Sequence, residues 1–129
     1  MSITDQVTDL QHVGIPTADL AATIKFYEGL GFQLVGQFKN GAGEVAFLRF
    51  NHLTIETWTG DPVVHQAGAI NHISLDTRDA QATFDSAQEA GYKIVEEQVQ
   101  ELPFWEHGIK YFNILGPNDE TIEFCEIIK

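Results

Sequence analysis

Short segments of the chain alternate apolar and polar residues with a period of two, which predicts β-strands. HVGI at 12–15 and HLTIETW at 52–58 are two such segments. After the first of them, Leu20, Ile24 and Tyr27 recur at the spacing of one helix face. Both periods therefore occur close together, and the chain is predicted to mix helices and strands.

The pattern occurs twice in the chain, and the two copies are separated by a constant number of residues. HVGIPTADL at 12–20 and GFQLV at 31–35 return as HISLDTRDA at 72–80 and GYKIV at 91–95, so the offset is 72 − 12 = 60 and 91 − 31 = 60. Each half reads as a strand, a helix and three more strands, a βαβββ module. A module of about 60 residues is too small to bury a good core alone.

We therefore expect a single α+β domain over 1–129, built from module 1 at about 7–60 and module 2 at about 69–129. The segment TGDPVVHQAG at 59–68 is the expected joint. Asp19 and Asp79 are expected to cap the two helices, and glycines at 29, 31 and 91 suit helix ends that need a left-handed residue.

Four residues with metal-binding side chains fall on the polar faces of predicted strands: His12, Glu56, His72 and Glu123. The histidines are 60 residues apart; the glutamates are 123 − 56 = 67 apart, and a longer loop in module 2 accounts for the difference. Two modules related by an approximate two-fold axis can bring such pairs to one point. Two imidazoles and two carboxylates suit zinc or nickel, with cobalt, manganese and ferrous iron also compatible.

Charge and cysteine content narrow the classes of partner. The formal charge is −12, from nineteen acidic and seven basic residues, which argues against binding to nucleic acid or to an anionic membrane. The single cysteine, Cys125, excludes an intrachain disulfide and any multi-cysteine metal cluster. No signal-peptide pattern or membrane-spanning run is present in the sequence, so a cytoplasmic location and a small-molecule partner are expected.

HVGIPTADLAATIKFYEGLGF, NHISLDT and GPNDETIEFCE resemble the vicinal oxygen chelate superfamily. That superfamily includes glyoxalase I, methylmalonyl-CoA epimerase, extradiol dioxygenases, fosfomycin-resistance enzymes and metal-free bleomycin-resistance proteins. The resemblance covers nearly the whole chain. It implies two βαβββ modules forming a cupped, mixed, eight-stranded sheet, often completed by homodimerisation.

Within the superfamily, the four candidate ligands look most like those of short bacterial glyoxalase I. The resemblance implies one divalent metal ion and isomerisation of a hemithioacetal, with Glu56 or Glu123 removing a proton. Glyoxalase I typically holds glutathione with an arginine and an asparagine where this chain has Pro16 and Gly60. The expected activity is therefore lyase or isomerase chemistry on a small vicinal-oxygen substrate, with an unspecified thiol.

Two alternatives stay open: an epimerase of an acyl thioester, and a non-catalytic binding or resistance protein of the same fold. Glu56 decides part of this, because a solvent-facing glutamate at that position would leave three ligands and favour dioxygenase or transferase chemistry. Arg49 is a candidate for binding a substrate carboxylate, or else pairs with an acidic residue of the chain.

In the loop LPFWEHG, the residues Phe104, Trp105 and His107 are expected either to line the substrate site or to anchor the loop to the core. Glu126 points away from the face of Glu123 and is expected to be a solvated edge charge. Cys125 shares the face of Glu123, and a small buried hydrophobic role is expected for it.

Overall fold

The fold is taken from a computed structural model that describes residues 2–129. The chain divides into two compact units, Met1–Val63 and Val64–Lys129, and each predicted module falls inside one unit. The first unit contains α1 (Ile3–Gln6), β1 (Val13–Pro16), α2 (Leu20–Gly29), β2 (Gln33–Asn40), β3 (Gly43–Phe50) and β4 (Leu53–Trp58). The second contains β5 (Ile73–Asp76), α3 (Ala80–Ala90), β6 (Lys93–Ile94), β7 (Gln100–Leu102), β8 (Ile109–Leu115) and β9 (Thr121–Ile127).

The first unit is a four-stranded sheet in the order β1-β4-β3-β2, with helix α2 against one face. Strand β1 runs parallel to β4, and the other neighbours are antiparallel. Alternation along the strands sends Leu48 and Ile55 to the helix side, where both are fully buried together with Tyr27 of α2. The opposite face of this sheet carries Glu56.

The second unit repeats this arrangement in the order β5-β9-β8-β6, with β7 also paired to β8. Strand β5 is parallel to β9, as β1 is to β4. The core is aromatic: the ring of Phe84 in α3 lies 5.2 Å from that of Phe112, which stacks on Phe124 at 5.1 Å. The predicted α+β class and the repeated strand, helix and strand order are confirmed.

The second sheet has five strands, so residues 2–129 form nine strands in two sheets where the sequence predicted eight. In the segment YKIVEEQV at 92–99 only Lys93–Ile94 forms a strand, β6, and the additional strand β7 lies beyond this segment, at Gln100–Leu102. Between them, the Glu96 carboxylate accepts hydrogen bonds from the backbone N–H and the side-chain amide of Asn113, both at 2.7 Å. The Glu96 side chain thus takes the place of a neighbouring strand, because it accepts the hydrogen bond of the Asn113 backbone N–H in β8.

Both long helices begin at the predicted aspartates. Asp19 accepts a hydrogen bond from the Ala22 amide at 3.1 Å, and Asp79 accepts one from the Ala82 amide at 3.0 Å. Gly91 ends α3 in the left-handed conformation with φ of 80°, as expected. Gly29, in contrast, is the last helical residue of α2, and the left-handed residue that follows it is Gly31.

The prediction that Glu126 is a solvated edge charge is wrong. Its side chain is half-buried, and Oε1 accepts a hydrogen bond from the Ala80 backbone N–H at 2.9 Å. This amide belongs to the first turn of α3, where N–H groups have no partner inside the helix. No helix within residues 2–129 has the length and apolar character needed to cross a membrane.

Candidate metal centre

In the first unit, the structure brings His12 and Glu56 together. The parallel pairing of β1 with β4 places Gly14 opposite Glu56, and His12 precedes β1 on the same side. The distance from His12 Nε2 to Glu56 Oε1 is 3.5 Å. Both side chains are partly exposed, so both can reach a ligand on this face of the sheet.

The second unit repeats the pair with His72 and Glu123. Parallel pairing of β5 with β9 places Ser74 opposite Glu123, which matches the relationship between Gly14 and Glu56. The distance from His72 Nε2 to Glu123 Oε1 is 3.9 Å. All four residues singled out in the sequence thus occur as two equivalent histidine–glutamate pairs, one in each unit.

Each histidine is oriented by the residue before it, a feature that was not predicted from the sequence. His12 Nδ1 lies 3.0 Å from the amide oxygen of Gln11, and His72 Nδ1 lies 2.9 Å from that of Asn71. When Nδ1 donates to this oxygen, Nε2 keeps its lone pair, which is the arrangement that metal-binding histidines favour. The sequence does contain an indication of this feature, because Gln11 and Asn71 are separated by the repeat offset, 71 − 11 = 60.

The neighbours of the two glutamates differ. On either side of Glu56 lie Gly14 on β1 and Phe47 on β3, and the Phe47 ring packs edge-on against the His12 ring at 5.9 Å. Glu56 therefore lies between two residues whose side chains donate no hydrogen bond.

Glu123 lies between two polar residues, Ser74 on β5 and Asn113 on β8. The Ser74 hydroxyl donates to Glu123 Oε1 at 2.6 Å. The Asn113 amide is already committed to Glu96. Ser74 is therefore the neighbour that holds the Glu123 carboxylate.

A groove of about 690 Å³ in the second unit adjoins the His72–Glu123 pair. Its walls combine apolar and neutral polar side chains with that pair, and among the described residues no lysine or arginine lines it. The lining residues are Asn71, His72, Val95, Leu102, Phe104, Ile109, Tyr111, Asn113, Leu115, Thr121 and Glu123. Phe104, which was expected either to line the substrate site or to anchor its loop, is one of these residues, and its side chain is half-exposed.

Comparisons with known proteins agree with this architecture. Residues 9–124 match the model of the Glyoxalase/Bleomycin resistance protein/Dioxygenase superfamily. The chain belongs to this superfamily. The predicted resemblance to vicinal oxygen chelate proteins is therefore confirmed.

The chain is also similar to a curated protein over nearly the whole length of both. The chain is 36% identical over 124 residues to the uncharacterized protein YwbC of Bacillus subtilis strain 168, covering 91% of this chain and 96% of that protein. The fold of the present chain is also similar to those of solved structures. A glyoxalase family protein from Bacillus cereus has a TM-score of 0.77 at 19% identity, with full coverage of both chains. The fosfomycin resistance protein FosX from Listeria monocytogenes has a TM-score of 0.74 at 15% identity, covering 95% of this chain and 96% of FosX.

Members of the superfamily commonly bind a divalent metal, bind small molecules and often form dimers. Among residues 2–129, no three or more His, Cys, Asp or Glu side chains form a group arranged to hold a metal ion. Each unit instead supplies one imidazole and one carboxylate, with Nε2 of the imidazole within 4 Å of the carboxylate. This donor chemistry fits a divalent ion of the zinc or nickel type.

The remaining candidate residues lie apart from the two pairs. Trp105 and His107 line a second hollow, of about 590 Å³, together with Glu101 and Lys110. Trp105 is 75% exposed and Phe104 52% exposed, so these rings do not anchor the loop to the core. Phe104 therefore lines the groove beside His72 and Glu123, whereas Trp105 lines the second hollow.

Arg49 donates from Nε to the Thr54 hydroxyl at 3.0 Å. In the described part of the chain it forms no ion pair with a carboxylate, so the expected pairing with an acidic residue is wrong. Its side chain remains exposed, which leaves the role in binding a substrate carboxylate as a prediction.

Cys125 lies on the same face as Glu123, directly opposite Asp76 in the sheet. Burial raises the pKa of the Cys125 thiol, and the nearby carboxylates of Glu123 and Asp76 raise it further. The neutral thiol is therefore favoured over the thiolate, which is the form that attacks electrophiles and binds metals. This agrees with the expected role of a small hydrophobic residue.

Proposed function

We propose that this protein is a metal-dependent, glyoxalase I-like lyase or isomerase acting on a small substrate with two adjacent oxygens. One divalent ion, zinc or nickel by preference, would bind to His12, Glu56, His72 and Glu123. The observation that carries the proposal is the repeated pair, in which each imidazole is oriented through Nδ1 and has a carboxylate within 4 Å of Nε2.

In this view the chain acts as one domain with a shared centre. The two pairs would hold a single ion, either within one chain or across the two copies of a homodimer. A cytoplasmic, dimeric protein that binds neither nucleic acid nor membrane is consistent with the charge of −12.

The chemistry asked of the protein is a proton transfer. A glutamate carboxylate removes the proton from the carbon next to a carbonyl group and returns it to the neighbouring carbon, so no oxidant or reductant is needed. When bound, the ion would stabilise the negative charge that develops on the substrate oxygens. The histidines would hold the ion next to the carboxylates, and the groove walls would exclude part of the solvent.

The substrate is proposed to carry a neutral, partly apolar group. Among the described residues, the walls of the groove beside His72 and Glu123 include no lysine or arginine, so the two carboxylates of a thiol such as glutathione would find no cation there. Pro16 and Gly60 support the same conclusion, because glyoxalase I has glutathione-binding side chains at these positions. A hemithioacetal of an uncharged thiol fits the groove better.

Elemental analysis of protein purified without added metal or chelator tests the centre first. We expect about one transition-metal ion per chain, and loss of that ion in the Glu123→Gln variant. The metal-loaded protein is then incubated with methylglyoxal and a series of thiols, glutathione and neutral alkyl thiols among them. Failure to take up zinc or nickel would exclude the metal centre, whereas metal uptake without turnover of any hemithioacetal would exclude the glyoxalase reaction alone.

An epimerase acting on an acyl thioester is the second candidate, because it requires the same proton transfer and the apolar groove suits an acyl chain. Exchange of the α-hydrogen of a 2-methylmalonyl thioester in deuterated water would identify this activity. The non-catalytic alternative is a binding or resistance protein; saturable binding of these compounds without exchange or turnover would favour it.

A further inference from the structure

The face of the first sheet that carries Glu56 also holds two aromatic rings for which the proposed chemistry has no role. Phe47 lies opposite Glu56 in the pairing of β3 with β4, and Trp58 follows Glu56 by two residues, so all three side chains lie on the face away from α2. The corresponding positions of the second unit hold Asn113 and Cys125. Aromatic surroundings therefore distinguish the histidine–glutamate pair of the first unit.

The Trp58 ring is held in one orientation beside the Glu56 carboxylate. Its Nε1–H donates to Asp61 Oδ2 at 2.6 Å, a hydrogen bond that the charge of the acceptor strengthens. A Cβ atom on Gly14 would lie 3.0 Å from Cζ3 of this ring and 3.7 Å from Glu56 Oε1, so the ring and the carboxylate approach the same backbone position. The Trp58 side chain is partly exposed, which leaves ring surface beside Glu56 for a ligand.

The Phe47 ring is fixed by other rings on two sides. It packs edge-on against the His12 ring at 5.9 Å and against the Phe38 ring at 6.3 Å between centroids. The side chain of Phe47 is partly exposed, and that of Phe38 is 59% exposed. Rings whose orientation is already set lose little freedom when a ligand binds, and they favour a second ring in offset or edge-on contact. This face thus presents a preorganised surface for an aromatic group.

Arg49 adds a positive charge to the same face. It follows Phe47 by two residues on β3, about 7 Å along the strand, so the two side chains point in the same direction. Its Nε–H donates to the Thr54 hydroxyl at 3.0 Å, which restrains the exposed guanidinium. No carboxylate within residues 2–129 forms an ion pair with it, although the chain has nineteen acidic residues against seven basic ones. Its remaining N–H groups can bind a carboxylate in the two-point geometry that arginine favours.

We propose that this face of the first unit binds an aromatic carboxylate, with the ring of the ligand against Trp58 and Phe47 and its carboxylate on Arg49. Asp61 is a positioning residue, because it holds the Trp58 ring and does not touch the ligand. All of these residues belong to one unit. The binding requires neither the metal ion nor the reaction proposed above, and it is independent of the neutral group proposed for the groove of the second unit.

The alternative is that the rings serve only to cover glycines. Trp58 lies over Gly14, and a Cβ atom on Gly36 would lie 2.9 Å from the Phe38 ring. Aromatic side chains commonly shield glycines in sheets in this way. A covering role predicts no selectivity for the ring or the charge of a ligand, so selectivity separates the two explanations.

Ligand binding is measured on full-length, chelator-treated protein that carries the Trp105→Phe substitution. The chain has two tryptophans and Trp105 is 75% exposed, so in this background the intrinsic fluorescence reports on Trp58. The probes are phenylacetate, cyclohexylacetate with the same charge but a saturated ring, and phenylacetamide with the same ring but no charge. Phenylacetate should change the Trp58 fluorescence saturably and bind on the order of 3- to 10-fold more tightly than either of the other two.

Variants in the same background assign each contact. Arg49→Gln should reduce the affinity for phenylacetate to that for phenylacetamide, whereas Arg78→Gln, at an exposed position of the second unit, is the matched control and should change neither. Asp61→Ala frees the Trp58 ring and should lower the preference for phenylacetate over cyclohexylacetate. Asp61→Asn keeps an acceptor oxygen and should restore this preference. Trp58→Leu, followed by calorimetry, should abolish it.

Two results would overturn the inference and leave the rings with the role of covering glycines. One is a protein that binds phenylacetate no better than the other two probes, and the other is phenylacetate binding that Arg49→Gln leaves unchanged. Arg49→Gln and the Asp61 variants keep the Trp58 ring, so the outcome does not depend on whether Trp58→Leu folds. Zinc uptake by the same protein tests the metal centre separately, so failure of one proposal is distinguishable from failure of the other.

Discussion

Asn71 holds His72 through a hydrogen bond of 2.9 Å between its amide oxygen and the imidazole Nδ1. This contact leaves Nε2 directed to the side of Glu123, 3.9 Å away. Gln11 and His12 repeat the relationship in the other unit. The pairing of an amide residue with each histidine therefore belongs to the repeated unit.

Replacing Asn71 by leucine should weaken zinc binding by about 10-fold or more, because the imidazole loses the group that selects its tautomer. Chelator competition measures the change. Gln88→Leu, at an exposed position of α3, makes a comparable polar-to-apolar change and should leave zinc affinity unaltered. An Asn71→Leu protein with wild-type affinity would show that the amide does not orient the ligand.

Replacing Glu126 by alanine should lower the free energy of unfolding by about 1 kcal/mol, since the Ala80 N–H at the start of α3 loses its acceptor and the helix dipole loses a favourable charge. Urea denaturation followed by circular dichroism provides the measurement. Glu126→Gln keeps an acceptor oxygen without the charge, and we expect an intermediate value. Equal stability of all three proteins would contradict the capping role.

The repeat in the sequence was sufficient to predict the fold class, both long helices and the faces of the four candidate ligands. This succeeded because strand alternation and helix spacing are local properties, visible within ten or so residues. The pairing of His12 with Glu56 and of His72 with Glu123 was not predicted, because it follows from the parallel pairing of β1 with β4 and of β5 with β9.

Features that depend on contacts between distant residues could not be predicted in this way. Glu126 caps a helix that begins 46 residues earlier, and the break between β6 and β7 depends on Glu96 reaching Asn113, 17 residues away. No local pattern marks either contact. The hydrogen bond from Ser74 to Glu123 is of the same kind, spanning 49 residues.

The Glu96 contact predicts a measurable loss of stability. Glu96→Ala removes the acceptor of two hydrogen bonds from half-buried Asn113, and leaving such donors unsatisfied costs on the order of 1–3 kcal/mol. Urea denaturation should show this loss, and amide hydrogen exchange at Asn113 should become faster. The neighbouring exposed residue provides the control, and Glu97→Ala should change stability by less than about 0.5 kcal/mol. A similar loss in both variants would assign the effect to the loop as a whole.

The pH dependence of Cys125 reactivity tests the electrostatics of the face that carries Glu123. Burial, and then the charges of Glu123 and Asp76, raise the pKa of this thiol above its ordinary value. Because iodoacetamide reacts with the thiolate, the midpoint of its rate against pH, in chelator-treated protein, should lie above that of free cysteine.

Glu123→Gln removes one negative charge and should move this midpoint downward. It should not restore the value of free cysteine, because burial is the larger cause and remains. Glu97→Gln, on an exposed residue between β6 and β7, should leave the midpoint in place. The raised pKa of the Cys125 thiol also affects the free energy of unfolding. The folded protein holds the thiol proton more tightly than the unfolded chain does. The stabilisation that results is constant below the ordinary cysteine pKa and is lost as the pH rises through the raised pKa of the folded protein. A midpoint that Glu123→Gln raises, or leaves where it was, would show that the carboxylate does not act on the thiol.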